Sequence, residues 1–142
     1  MYIAITDTPN LSCGAANSIC WCMMSAQRRL PNGIPRREYR ACIQRLLTER
    51  ALKGGDQWVE AQTIFDTEHD HYQLLYNGWH NTKRIFGPVL HLDIKEGKIW
   101  IQWNGTEDDI AAELVALGVP KHDIVLGFHT PRMRQYTEYA VR

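Results

Sequence analysis

The chain has 142 residues, 44% apolar and 23% charged, and its sixteen basic side chains are balanced by sixteen acidic ones. That length and composition support one hydrophobic core and exclude a disordered polymer, and no apolar run nears the ~20 residues needed to cross a bilayer. Zero net charge argues against a dedicated nucleic-acid binder, because phosphate contacts need clustered positive charge.

Residues 1–35 show no sustained hydrophobic period and carry Pro9, Gly14, Pro31, Gly33 and Pro35. They predict an irregular N-terminal arm, or a start assigned too far upstream, with Met23 or Met24 as alternatives. Residues 15–24 have neither the preceding basic region nor the cleavage site of a signal peptide, which points to a cytoplasmic protein. Cys13, Cys20 and Cys22 fall in this arm. The one-residue spacing of the last two is not a zinc spacing, so free thiols in a reducing compartment are expected.

From Arg36 the periodicity sharpens. Tyr39, Cys42, Ile43, Leu46 and Leu47 recur at three- and four-residue steps, which predicts a helix over about 36–51 with Cys42 on its apolar face. Gly54-Gly55 ends it. Four strand-like segments follow. Val59, Ala61, Thr63 and Phe65 alternate with Glu60, Gln62 and Ile64, and Tyr72, Leu74 and Tyr76 alternate with Gln73, Leu75 and Asn77. A third segment over about 83–94 sets Leu90, Leu92 and Ile94 against His91 and Asp93, with a bulge expected at Gly87-Pro88. The fourth sets Ile99, Ile101 and Trp103 against Trp100 and Gln102. The short links, including Lys95-Glu96-Gly97-Lys98, imply antiparallel neighbours, since a parallel return needs a dozen residues or more.

A second helix is expected from a Thr106 cap, with Ile110, Leu114 and Leu117 buried and Gly118 and Pro120 at its end. Residues 120–128 fit either a short helix or a buried strand at Ile124-Val125-Leu126. The resulting fold class is α+β: an antiparallel β-meander of about four strands, with an N-terminal helix and a helix after the sheet packed against it. Aromatics on both sheet faces leave one face for the helices and the other for a partner.

Several segments in this order resemble the XisI-like family, the fdxN-element excision controlling factors. They are Thr63-Ile64-Phe65-Asp66-Thr67-Glu68-His69-Asp70-His71-Tyr72-Gln73-Leu74-Leu75-Tyr76, then Val89-Leu90-His91-Leu92-Asp93-Ile94-Lys95 with Gly97-Lys98-Ile99-Trp100-Ile101-Gln102. Gly105-Thr106-Glu107, Glu113-Leu114-Val115, Gly118-Val119-Pro120-Lys121 and Asp123-Ile124-Val125-Leu126-Gly127-Phe128-His129 continue the series. Pro131, Arg134, Tyr136-Thr137-Glu138 and Ala140-Val141 close it. The resemblance covers about 36–142, and family members usually begin near the first helix. It implies a cyanobacterial accessory factor that works in heterocyst-forming species with an XisH-like companion protein and a site-specific recombinase. It implies no catalytic residue set.

Four constellations compete with plainer readings. Asp66, Glu68, His69, Asp70 and His71 suit a divalent ion, yet a hairpin turn gathers the same residue types. Asp93-Ile94-Lys95, with Asp66 as a first carboxylate, matches the pattern of a metal-dependent nuclease. Five arginines (Arg36, Arg37, Arg40, Arg45, Arg50) face Glu38 and Glu49, which suits either a direct DNA-binding module or one solvated helix face. Trp79 and Trp100, with Arg132, Arg134 and Tyr136 of the tail, are residue types enriched at interface cores, against the alternative that they pack on their own sheet. The leading expectation is therefore a non-catalytic protein with no metal, cofactor or membrane contact. It binds an XisH-like protein and a second copy of itself, and any DNA contact is indirect or weak.

Overall fold

The computed structural model describes residues 35–142. The arm expected over 1–35, with its three cysteines and the alternative starts, lies outside the described residues up to position 34.

A short 3-10 turn at Arg36–Glu38 leads into helix α1, Tyr39–Lys53. Tyr39, Ile43, Leu46 and Leu47 are its buried residues, one stripe at helical spacing. Cys42, on the flank of that stripe, is half-buried. The helix stops at Gly54, whose N–H returns to the Arg50 carbonyl at 2.8 Å. A Cβ at Gly54 would lie 2.3 Å from the Tyr76 hydroxyl, so any larger residue there must displace that side chain.

Strands β1 (Val59–Asp66), β2 (His71–His80), β3 (Lys83–Lys95) and β4 (Lys98–Asn104) form the expected antiparallel meander. The Glu96-Gly97 link has positive φ at both residues (54° and 73°), the hairpin turn whose twist matches the strands. The register shifts opposite Leu74/Leu75, bearing out the bulge beside Gly87-Pro88.

A fifth strand is added to the four expected. Residues Ile124–Leu126 form β5, which pairs in parallel with β4 and gives the order β1-β2-β3-β4-β5. The parallel return is possible because helix α2, Ile110–Ala116, fills the crossover. Its cap is Asp109, whose carboxylate accepts the Ala112 N–H at 3.0 Å, rather than the expected Thr106. Thr106 is held instead by the Asn104 side chain, which accepts from both its N–H and its hydroxyl. The tail holds a four-residue helix, α3 (Pro131–Arg134), and Ala140 bridges to Val125 along the β5 edge.

The core lies on one sheet face. Tyr72 and Leu74 of β2, Leu90 and Leu92 of β3, Ile99 and Ile101 of β4, and Ile124 and Leu126 of β5 cluster with the buried stripes of α1 and α2. Each such side chain contributes roughly 1.5–3 kcal/mol by leaving water. Arg50 ties the two helices together through ion pairs to Asp108 and Glu113. Among the described residues no helix is long and apolar enough to cross a membrane.

Candidate functional site on the open sheet face

Strand alternation sends every second side chain away from α1 and α2, to a face we call open. His71↔Asp93↔Trp100↔Val125 is one row across it, and Gln73↔His91↔Trp103 is the next. Further along lie Leu75, Asn77 and Trp79 of β2 with Phe86 and Arg84 of β3. Ile64 of β1 pairs with Gln73 and shares the face.

A β-bulge reshapes this surface. Leu92 pairs with Ile101 and His91 with Trp103, so Gln102 is the extra residue. Simple alternation grouped Trp103 with Ile99 and Ile101; the bulge instead turns it outward beside His91, where it is 54% exposed. The same bulge brings Gln102 to Asp93.

Asp93 is the hub of the polar network on this face and only 3% exposed. Its Oδ1 lies 2.7 Å from His71 Nδ1 and 2.8 Å from His91 Nε2. Its Oδ2 accepts from Gln102 Nε2 at 2.9 Å and pairs with Lys95 Nζ at 2.9 Å. Gln73 Nε2 completes the network, 3.0 Å from His91 Nδ1. Burial is the largest single influence on this carboxyl and pushes its pKa up. The combined donors His71, Lys95, His91 and Gln102 outweigh it and hold the group well below the usual carboxylate range.

The same face carries exposed apolar side chains, two beside this polar cluster and two toward the other end of the β2–β3 ladder. Trp79 (55%), Phe86 (70%) and Ile64 (50%) join Trp103 on the open face. The Arg84 guanidinium sits 5.4 Å from the Trp79 ring and 5.7 Å from that of Phe86, holding the pair together. At the β5 end the tail covers the sheet. Val125 is fully buried, and Trp100 is half-buried with the Arg134 guanidinium 5.1 Å from its ring centroid.

The structure sorts the residues singled out in the sequence. Trp79 is exposed, as are Arg132 and Tyr136 on the tail. Arg134 is drawn inward, donating to the carbonyls of Leu126, His129, Gly127 and Val141. The acidic turn is divided among separate duties. Asp66 accepts the N–H groups of Glu68 and His69 and pairs with the His69 ring, contacts that hold its carboxyl low, the His69 N–H first. Asp70 holds Arg40 and accepts from the Tyr72 hydroxyl, which burial and then this contact push up to about 12. Only His71 reaches Asp93. Lys95 does meet Asp93, as the nuclease pattern requires, while Asp66 is committed to its own turn.

The arginines of α1 are largely neutralised. Arg40 pairs with Asp70, Arg45 with Glu49, and Arg50 with Asp108 and Glu113.

The family model described as XisI protein matches residues 35–141. The chain belongs to the XisI family. It is similar to a XisI-like protein from Anabaena variabilis ATCC 29413, at 48% identity and a TM-score of 0.72, over 76% of this chain and 100% of that one. It is also similar to the fdxN element excision controlling factor XisI from the same organism, at 36% identity and a TM-score of 0.65, over 75% of this chain and 98% of that one. No curated protein matches the chain. The resemblance noted in the sequence is thus borne out, with the α+β fold it accompanies.

Proposed function

We propose that this XisI-family protein is a non-catalytic accessory factor in the control of DNA-element excision, and that it acts by binding an XisH-like companion through the open sheet face. The observation that carries this reading is the 36% identity over nearly all of a relative named fdxN element excision controlling factor XisI. The face supports it. Ile64, Trp79, Phe86 and Trp103 give exposed apolar surface, three of the four being aromatic residues of the kind enriched at interfaces. Arg84 fixes two of these rings in advance, which lowers the ordering penalty on binding. Arg132 and Tyr136 extend the surface along the tail, while Trp100 and Arg134 shape its β5 edge.

The recombinase is reached through that complex rather than by direct duplex binding, because Arg40, Arg45 and Arg50 of α1 are already ion-paired. Size-exclusion chromatography with light scattering on the chain mixed with its XisH-like companion tests the reading. A defined complex is expected, weakened by the double substitution Trp79→Ala/Phe86→Ala. Two species that elute separately at micromolar concentration would sink it.

A further inference from the structure

We infer that His71, His91 and Asp93 form a binding site for a divalent transition-metal ion of the Zn²⁺ class. One ligand atom from each residue lies within 4.8 Å of the other two. The three side chains are placed by the sheet ladder rather than by a loop. His71 is the cross-strand partner of Asp93, and His91 stands two residues before Asp93 on the same face. Strand geometry therefore aims all three at one point above the sheet.

The spacing suits an ion. Metal–ligand bonds of about 2.0–2.2 Å place neighbouring ligand atoms roughly 3.0–3.5 Å apart. The Asp93 Oδ1 to imidazole nitrogen separations are 2.7 and 2.8 Å, so small side-chain rotations open the gap an ion fills. Two imidazole nitrogens now converge on one carboxylate oxygen, each contact needing a proton between the two atoms. A single ion replaces both protons. Each neutral imidazole keeps its proton by moving it to its other nitrogen, so no proton is lost overall. For His91 the other nitrogen is Nδ1; Gln73 Nε2 stands 3.0 Å from it, and a flip of that amide presents its oxygen to accept the Nδ1–H.

The remaining groups act as supports. Gln102 and Lys95 occupy Oδ2 and leave Oδ1 for the ion. Lys95 opposes a second positive charge nearby and limits the affinity. His71 is 46% exposed, so the coordination positions not supplied by the chain face solvent or a docked protein.

The test uses the full chain alone, so its result is independent of companion binding. Zn²⁺ and Co²⁺ are titrated by calorimetry and absorption, and the imidazole nitrogen resonances of the wild type are followed by NMR. The expected result is a 1:1 site that shifts the His71 and His91 resonances and gives Co²⁺ visible bands without thiolate charge transfer. His71→Ala and His91→Ala, checked by circular dichroism, should each abolish it, and Gln73→Leu should weaken it roughly 10- to 100-fold. Resonances of His71 and His91 that Zn²⁺ leaves in place overturn the inference even if every variant misfolds. So does binding that survives loss of either histidine, or binding that carries a thiolate band.

Discussion

The two faces of the sheet are drawn from the same strands in alternation, yet they do opposite things with what they carry. On the helix-covered face, Tyr72, Leu74, Leu90, Leu92, Ile99 and Ile101 pack into α1 and α2, and the buried Asp123 carboxylate accepts from the Tyr39 hydroxyl of α1 at 2.6 Å. The open face carries a buried carboxylate with four donors near the β3–β4 hairpin, and exposed rings lie beside it and toward the far end of the ladder. Burial of the apolar side chains is the main source of stability on the covered face. A carboxylate sunk among donors is a costly way to fill a sheet surface, and large rings left in water contribute little to folding. These are the features on which the proposed docking role of the open face rests.

Substitutions should separate the two faces, beginning with the largest change in stability. Leu92→Ala on the covered face should destabilise by about 2–5 kcal/mol, read from urea unfolding. Asp93→Ala on the open face should lose less, about 1–3 kcal/mol, because it strands donors that are partly solvated. Its effect also depends on pH. The folded carboxyl sits below its ordinary value, so ionised Asp93 stabilises the fold fully above the unfolded pKa near ~4. That contribution disappears as pH falls from there toward the lower folded value. The stability gap between wild type and Asp93→Asn should accordingly stay level from about pH 6 to pH 5 and narrow as pH falls through ~4 toward ~3. A gap that stays constant would show that charge at Asp93 is not what holds the network.

The tail gives a closer comparison between neighbours. Arg134→Ala removes donors to four carbonyls and should cost about 1–2 kcal/mol. Arg132→Ala, two residues away and exposed, should stay within about 0.5 kcal/mol. Equal melting temperatures for the two variants would contradict the assigned roles. The smallest stability change, again within about 0.5 kcal/mol, is expected for Trp79→Ala/Phe86→Ala. That pair should instead weaken companion binding tenfold or more, measured by calorimetry.

The contrast between faces also explains what could be read in advance. The meander, its register signals and the stripes of α1 and α2 follow from periodicity and turn residues, which act locally. The family could be recognised from the order of its segments. The open face was harder, because it depends on irregularity. Strict alternation sent Trp103 to the core, and only the bulge at Gln102 returns it to the surface. Likewise, Asp66 to His71 looked like one cluster along the chain, but turn formation disperses it. The partners of His71 are His91 and Asp93, twenty residues on, joined only by strand pairing. β5 was ambiguous because three apolar residues have no period of their own, and their pairing depends on the crossover through α2.

The most direct test is an amide NMR titration of the isotope-labelled chain with its unlabelled XisH-like companion. The account predicts perturbation centred on Ile64, Trp79, Phe86 and Trp103, with the exposed residues of α1 unaffected. Perturbation concentrated on α1, with the open-face amides unmoved, would contradict it.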